Sequence, residues 1–279
     1  MTYATLIVHA QADDEGQARA ALAANLADRF EATLVGVAAR DFVPVAVAPT
    51  GPIVNPSVLA DMTAAQEGLI RAELAAAEGA FRAAAGRLGP RAAWRASIGA
   101  PARALVEAAR AADLLVVGRS PERADPAARV DPGDVLMQAG RPVLVVPPGA
   151  SRLDAARVVV AWKDGREARR AAADALPLLR RASSVLVVEL CRPGDAPAVS
   201  PALEDVAGHL ARHGVRATAE AQEAAEGATA DALVRAAERH GADLIVAGGY
   251  GHTRLREWAF GGVTRSLLRD CPVACLLSH

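Results

Sequence analysis

Glycines with an unusual spacing mark the part of the chain best suited to chemistry. Two residues separate Gly248 from Gly251, nine separate Gly251 from Gly261, and the segment from Gly262 to Thr264 opens a predicted helix. Glycine lets an anion approach bare backbone N–H groups, and a helix N-terminus adds unpaired N–H groups and a positive dipole end. A threonine hydroxyl donates a hydrogen bond to a phosphate oxygen. The spacing predicts a phosphate cradle divided between two loops; the alternative is tight turns without a ligand.

Neither common phosphate-binding loop is present. A P-loop needs a lysine directly after its last glycine, and the only lysine, Lys163, lies elsewhere in the chain. No Gly-x-Gly-x-x-Gly pattern follows the first predicted strand. The predicted cradle therefore differs from the sites of P-loop NTPases and of dinucleotide-binding domains.

An internal repeat would position this cradle. Residues 112–118, Ala-Asp-Leu-Leu-Val-Val-Gly, parallel residues 242–248, Ala-Asp-Leu-Ile-Val-Ala-Gly, and each half opens with a short apolar run, at 5–8 and at 158–161. Such short, continuous, β-branched runs are typical of parallel strands that are covered on both faces. They alternate with alanine-rich amphipathic stretches. We predict an α/β fold with two tandem doubly wound domains, each a five-stranded parallel sheet with helices on both faces.

A stretch rich in proline and glycine, residues 147–151, marks the boundary between the halves. We therefore predict domains at 1–148 and 155–279, with a long helix from about Val58 to Leu88 in the first. Ligands of doubly wound sheets bind beyond the carboxyl ends of the strands, where the strand order reverses. In each half this edge carries the turns after the first and fourth strands.

The second half resembles a known family. Gly248, Gly251 and Gly261 have the spacing of the signature of the universal stress proteins, and they follow a strand that ends in Val246-Ala247. The segment 158–168 also looks like the opening of that family's domain, in which an aspartate follows the first strand. With the repeat, the resemblance covers the whole chain in the family's tandem two-domain form. It implies a fold like that of the adenine nucleotide alpha hydrolases and a stress-response role.

The resemblance implies an adenine nucleotide, ATP with magnesium, as the ligand of the second half. Asp164 would lie near the ribose, and the triphosphate would cross the glycines and the helix start. The alternative role of Asp164 is to cap the helix that begins near Arg166. The candidate nucleotide-binding residues are Ala161, Asp164, Val188, Gly248, Gly251, Gly261, Gly262, Val263 and Thr264.

Two departures from the family pattern bear on binding. Gly262 stands where nucleotide-binding members usually carry serine or threonine, so a phosphate-binding hydroxyl is missing there. In the first half Gly118 is followed by Pro121 at the place of the second glycine, and the next glycine, Gly133, is displaced. Because proline lacks a backbone N–H donor, we expect the degenerate first domain to bind no nucleotide in the family manner.

No catalytic or metal-ligating group emerges from the sequence. His209 and His213 have the i,i+4 spacing of zinc ligands, but no third ligand is evident. The glycine loop offers no evident general base for an attacking water, so we expect at most slow ATP hydrolysis. We therefore predict a regulatory binding module. The alternatives are a scaffold that binds no nucleotide and a related ATP-cleaving or adenylating α/β enzyme.

Charge and composition argue against other classes of protein. The chain has 31 Lys+Arg against 32 Asp+Glu among 279 residues, a net charge of −1. Such a balance is unlike that of dedicated nucleic-acid-binding or polybasic membrane-binding proteins. No apolar run approaches the roughly 20 residues of a membrane helix, and no signal peptide is evident. We expect a cytoplasmic protein.

Cysteines and partners complete the expectations. The three cysteines are Cys191, Cys271 and Cys275, an odd number that fits a reducing compartment. Cys271 and Cys275 are predicted on one strand face, roughly 13 Å apart and too far for a disulfide. The resemblance implies that the two halves pack as an intramolecular pseudo-dimer through their last strands, with a homodimer as a further option.

Overall fold

The structure, a computed structural model, describes residues 2–42, 55–119, 125–225, 227–250 and 262–279. Within these ranges strands and helices alternate along the chain, with short 3-10 helices at Gly86–Arg91 and Ala109–Ala111. The strands and α-helices in chain order are β1 (Thr5–His9), α1 (Asp14–Arg29), β2 (Thr33–Arg40), α2 (Pro56–Ala85), β3 (Ala92–Ile98), α3 (Pro101–Ala108), β4 (Leu114–Gly118), α4 (Pro132–Ala139), β5 (Val143–Val146), β6 (Arg157–Trp162), α5 (Arg166–Leu179), β7 (Ser184–Cys191), α6 (Ala196–Arg212), β8 (Ala217–Glu223), α7 (Thr229–His240), β9 (Leu244–Gly248), α8 (Gly262–Arg269) and β10 (Ala274–Ser278).

The strands form one sheet in the order β3-β2-β1-β4-β5-β10-β9-β6-β7-β8. Strands β1 to β5 are parallel to one another, and so are β6 to β10. The two predicted five-stranded parallel sheets are confirmed. The two sheets are joined into one continuous sheet, because β5 and β10 pair antiparallel. This pairing covers two strand edges that would otherwise expose unpaired backbone groups.

Helices cover both faces of the sheet. Side chains of α1, α2, α5 and α6 pack into one hydrophobic core, and those of α3, α4, α7 and α8 pack into the other. The eight inner strands contribute alternate residues to the two cores, which explains why their sequences are largely apolar. Among the described residues, no helix combines the length and the apolar character needed to cross a membrane.

The boundaries of the long helix differ slightly from the prediction of about 58–88. Helix α2 begins at Pro56, because the Asn55 side chain caps it by accepting a hydrogen bond from the Ser57 N–H at 3.0 Å. It ends at Ala85, where a 3-10 turn follows that contains Gly89 with φ of 56°. Proline and asparagine at a helix start are favourable, so the first turn extends beyond the apolar pattern.

A repeated aspartate explains the strongest sequence parallel between the halves. The Asp113 carboxylate accepts hydrogen bonds from the N–H groups of Ala4 and Thr5, at 2.7 and 2.9 Å. The Asp243 carboxylate accepts the same pair from Ala156 and Arg157, both at 3.2 Å. These contacts make Thr5 the counterpart of Arg157, and counting along the strands makes His9 the counterpart of Ala161.

Candidate functional site

Three small apolar residues lie side by side at the carboxyl edge of the second half. Ala161 pairs in register with Val188 of β7 and with Ala247 of β9. All three side chains lie on the sheet face that α7 and α8 cover. We call this row the apolar shelf. The structure thus brings together two of the candidate residues, Ala161 and Val188, and adds Ala247, which the sequence reading did not select.

Asp164 lies in the turn that follows this row. Its carboxylate is exposed and forms an ion pair with Arg169 at 2.7 Å. The residue that caps α5 is Gly165, without a side-chain hydrogen bond, so the capping role considered for Asp164 is wrong. A single glycine inserted between the aspartate and the helix moves the carboxylate out of capping position.

A second carboxylate lies near Asp164. Glu189, half-buried at the end of β7, has a raised pKa because of burial and of the Asp164 charge, whereas Lys163 opposes the increase. The turn after β6 and the end of β7 therefore place two acids and one lysine together. These side chains can bind hydroxyl groups such as those of a ribose.

Gly248, the last residue of β9, is required by packing. A Cβ at this position would lie 2.7 Å from the backbone of both Glu167 and Ala168 in the first turn of α5. A contact this short cannot be relieved by rotating a side chain, so glycine lets the helix approach the strand. Gly251 and Gly261 lie outside the described residues.

The loop after β9 meets the start of α8. Tyr250 has a positive φ of 54°, and its backbone N–H lies 3.5 Å from Thr264 Oγ1. Gly262 is exposed, with open space where a Cβ would stand, while Val263 and Thr264 are half-buried. The structure therefore joins the strand end and the helix start, and it places the first N–H groups of α8, of the kind that can bind an anion, at this edge.

Two further residues of this edge, Glu167 and His279, were not predicted from the sequence. Glu167 is 6% exposed; burial raises its pKa, but hydrogen bonds from Arg166 and from its own backbone, with the charges of Arg166 and His279, lower the pKa below its usual value. The His279 ring contacts the Gly249 carbonyl oxygen at 3.0 Å. Only the acidic first turn of a helix could have indicated Glu167, and no sequence pattern indicates His279.

No group of three or more metal-ligating side chains occurs among the described residues. The His209 and His213 rings are stacked edge to face with centroids 4.7 Å apart. Arg180 donates to the His213 carbonyl oxygen at 2.9 Å and lies 3.4 Å from its Nδ1. A cation beside this pair opposes the binding of a metal ion.

The corresponding edge of the first half is filled by its own side chains. His9 takes the place of Ala161 and pairs in register with Val37, and it is 3% exposed. Ala12 takes the place of Asp164. At these two positions the first half therefore has a histidine in place of a small residue and an alanine in place of the exposed aspartate.

A buried arginine closes the same edge. Arg19, which is 4% exposed, takes the place of Ala171. It donates from Nε to the His9 carbonyl oxygen at 2.7 Å and from Nη2 to Gln11 Oε1 at 2.9 Å. Its Nη1 occupies the position that a Cβ on Gly118 would take.

The burial of His9 predicts an acid-sensitive stability. Burial, with the charge of Arg19, holds the pKa of His9 well below its usual value of about 6.5. Below about pH 6.5 the unfolded chain binds a proton at this histidine, whereas the folded chain does not. The free energy of unfolding should therefore fall with pH, by up to about 1.4 kcal/mol per unit. Urea denaturation at pH 7.5, 6.0 and 5.0 should show a shallower pH slope in His9→Leu than in the parent. Exposed His209→Gln is the control, and an unchanged slope in His9→Leu would contradict the assignment.

A surface groove of about 440 Å³ lies elsewhere. It belongs to the first half and is lined by the first turns of α2: Pro56, Leu59, Ala60, Thr63, Ala64 and Glu67. It shares no residue with the carboxyl edge of either half, and its one charged group is a carboxylate.

Comparisons with known proteins agree with this architecture. A model of the universal stress protein family matches residues 155–279. The structure of a universal stress protein from Archaeoglobus fulgidus DSM 4304 has the same fold, with a TM-score of 0.70 and 13% identity, over 98% of this chain and 97% of that chain. A functionally unknown protein from Pseudomonas aeruginosa PAO1 matches with a TM-score of 0.55 and 16% identity, over 99% of this chain and 92% of that chain. No curated protein sequence matches the chain. Residues 155–279 therefore match the universal stress protein family, and the full length of the chain has the fold of a universal stress protein.

Proposed function

We propose that the chain is a cytoplasmic stress-response module that binds one adenine nucleotide, ATP with magnesium, in residues 155–279. The degenerate domain, residues 1–148, binds none and serves as the partner of a pseudo-dimer. The observation that carries this proposal is the contrast between the two carboxyl edges. One has a row of alanine and valine with an exposed aspartate beside it, and the other has a buried histidine and a buried arginine at the corresponding places.

The groups of the C-terminal edge suit the parts of a nucleotide. The apolar shelf would support the adenine, and a ribose hydroxyl would donate a hydrogen bond to Asp164. The N–H groups at the start of α8, from Gly262 to Thr264, would donate to phosphate oxygens. Magnesium would neutralise the charge of the phosphates when bound with them.

Binding without rapid turnover fits the carboxylates of this edge. Asp164 is paired with Arg169 at 2.7 Å, and Glu167 with Arg166 at 2.5 Å. Against the effect of burial, the hydrogen bond from Arg166 helps to lower the pKa of Glu167, which makes this carboxylate a poor base. We therefore propose that any hydrolysis of ATP is slow.

Calorimetric titration of the full-length protein with ATP and magnesium tests the proposal. We expect one site per chain. Two equal sites would show that the first half also binds ATP. If titration gives no heat and denaturation releases no nucleotide, the protein is better described as a scaffold that binds no nucleotide. Rapid release of inorganic phosphate would favour the enzyme.

Serine at position 262 should strengthen this binding. The site has open space beside Gly262, and the serine hydroxyl would donate to a phosphate oxygen. A hydrogen bond to a charged group contributes about 1.5–3 kcal/mol, so affinity should rise about tenfold to a hundredfold. Gly262→Ala is the matched control, since it adds the Cβ without the hydroxyl. Equal affinities of the serine and alanine variants would mean that no phosphate lies at the start of α8.

A further inference from the structure

The guanidinium of Arg119 is buried where the two halves meet. Arg119 follows β4, is 7% exposed, and donates from Nη2 to the carbonyl oxygens of Leu267 and Val273, at 3.2 and 2.9 Å. Its Nε and Nη1 are buried and have no hydrogen-bond partner among the described residues. The ion pairs of the described residues do not include Arg119. A buried cation is costly when its acceptors are neutral, as the described acceptors of Arg119 are, so an anion close to this guanidinium would stabilise it.

Two thiols lie beside this cation. Cys275 Sγ is 3.7 Å from Arg119 Nη2, and Cys275 pairs with Val145 across the β5–β10 boundary. The prediction that Cys271 lies on the same strand as Cys275 is wrong. Strand β10 begins only at Ala274, and the chain bends before it. The bend turns Cys271 back, so that the two thiols interact.

The interaction shifts the pKa values of the two thiols in opposite directions. A hydrogen bond with the Cys275 thiol lowers the pKa of Cys271 to about 7, against the effect of burial. The Val273 N–H and the Arg119 charge add to this lowering. The same interaction, with burial, raises the pKa of Cys275. No carboxylate is among the groups that act on either thiol. The Arg119 charge thus favours the thiolate form of Cys271, and the thiolate in turn compensates the buried guanidinium.

We propose that Cys271 and Cys275 form a redox-active dithiol that a hydroperoxide converts into a disulfide. Cys271 is buried, but its neighbours Asp270 and Pro272 are exposed, so a small oxidant has a short way to the sulfur. Arg119 is a positioning residue, because it stabilises the thiolate without touching the reacting oxygen.

The reaction balances in two steps. The Cys271 thiolate attacks one peroxide oxygen, an S–O bond forms, the O–O bond breaks, and the departing alkoxide takes a proton and leaves as an alcohol, or as water from hydrogen peroxide. Cys275 then attacks the sulfur of the Cys271 sulfenic acid. The S–S bond forms, the S–O bond breaks, and hydroxide leaves as water with the Cys275 proton. Two thiols lose two electrons in total, and the hydroperoxide gains them.

Cys191 provides a control within the same chain. It is buried, and its pKa is raised by burial and by the charges of Glu223, Asp195 and Glu189, against one backbone hydrogen bond. No cation is among the groups that act on it. Cys191 should therefore stay reduced under conditions that oxidise the pair.

The test treats the full-length protein with hydrogen peroxide at pH 7 and follows its intact mass. We expect the loss of two hydrogen atoms, reversed by dithiothreitol, with peptide mapping that joins Cys271 to Cys275. Cys191→Ser should react like the parent, and Cys271→Ser and Cys275→Ser should give no such product. A parent that keeps both thiols under these conditions, or that oxidises Cys191 first, would overturn the proposal.

The role of Arg119 is tested by the rate. In Arg119→Met the reaction at pH 7 should slow about threefold to tenfold, because a smaller fraction of Cys271 is ionised. The thiolate that remains is more nucleophilic, which offsets part of this loss. The difference should vanish near pH 9, and Arg119→Lys should recover most of the rate. A purely structural role would leave the pH profile unmoved. If Arg119→Met does not fold, the parent's own profile decides, since its rate must rise through about pH 7.

Discussion

Ala161→His is expected to weaken ATP binding by about thirtyfold or more, which corresponds to about 2 kcal/mol. Ala161 is the middle of the apolar shelf, between Val188 and Ala247. A histidine there reproduces the arrangement of the first half, where His9 pairs in register with Val37. The imidazole would occupy the space above the shelf, and a bound adenine would lose its contact with all three side chains.

Calorimetry of the folded variant measures this loss. Ala161→Gly is the matched control, since it keeps the space open and should bind within about threefold of the parent. Thermal unfolding of both variants separates loss of the site from loss of the fold. If Ala161→His binds ATP like the parent while folded, the nucleotide does not lie on the shelf.

The fold could be predicted from the sequence because its strongest signals are local. The Ala-Asp-Leu pattern of both halves exists because Asp113 and Asp243 each bind the start of a neighbouring strand. The apolar runs reflect burial on both faces of the sheet. Each of these constraints acts on a few adjacent residues and therefore leaves a readable pattern.

The content of the two carboxyl edges could not be read in the same way. Arg19 lies within an amphipathic helix that also carries exposed polar residues, and nothing local shows that it is buried against His9. The bend that brings Cys271 towards Cys275 depends on where β10 begins. Asp164 failed as a cap because one residue, Gly165, separates it from α5. Each of these outcomes depends on tertiary contacts or on the position of an element's end, which varies by a residue or two.

The boundary between β5 and β10 joins both halves into one sheet and one pair of cores. Leu276 pairs with Leu144 across this boundary, both are fully buried, and both belong to the core beneath α1 and α5. Further contacts cross between the halves on the same side: the Tyr3 hydroxyl donates to the Asp174 carbonyl oxygen at 2.7 Å. The two halves should therefore unfold together.

Leu276→Ala should destabilise the protein by about 2–5 kcal/mol, because removal of this buried side chain leaves a cavity in the core. The melting temperature should fall by about 5–15 °C for a chain of this size. Tryptophan fluorescence reports where the loss occurs: Trp94 lies in β3, Trp162 lies in β6, and the third tryptophan of the sequence is Trp258. A Trp94→Phe background therefore reports the second half, and a background with both Trp162→Phe and Trp258→Phe reports the first. Both probes should move to lower temperature by the same amount. Leu69→Ala, at a leucine that is 68% exposed, is the matched control and should change stability by less than about 0.5 kcal/mol. If only the signal of the C-terminal half moves, the halves unfold separately, and the β5–β10 pairing does not couple them.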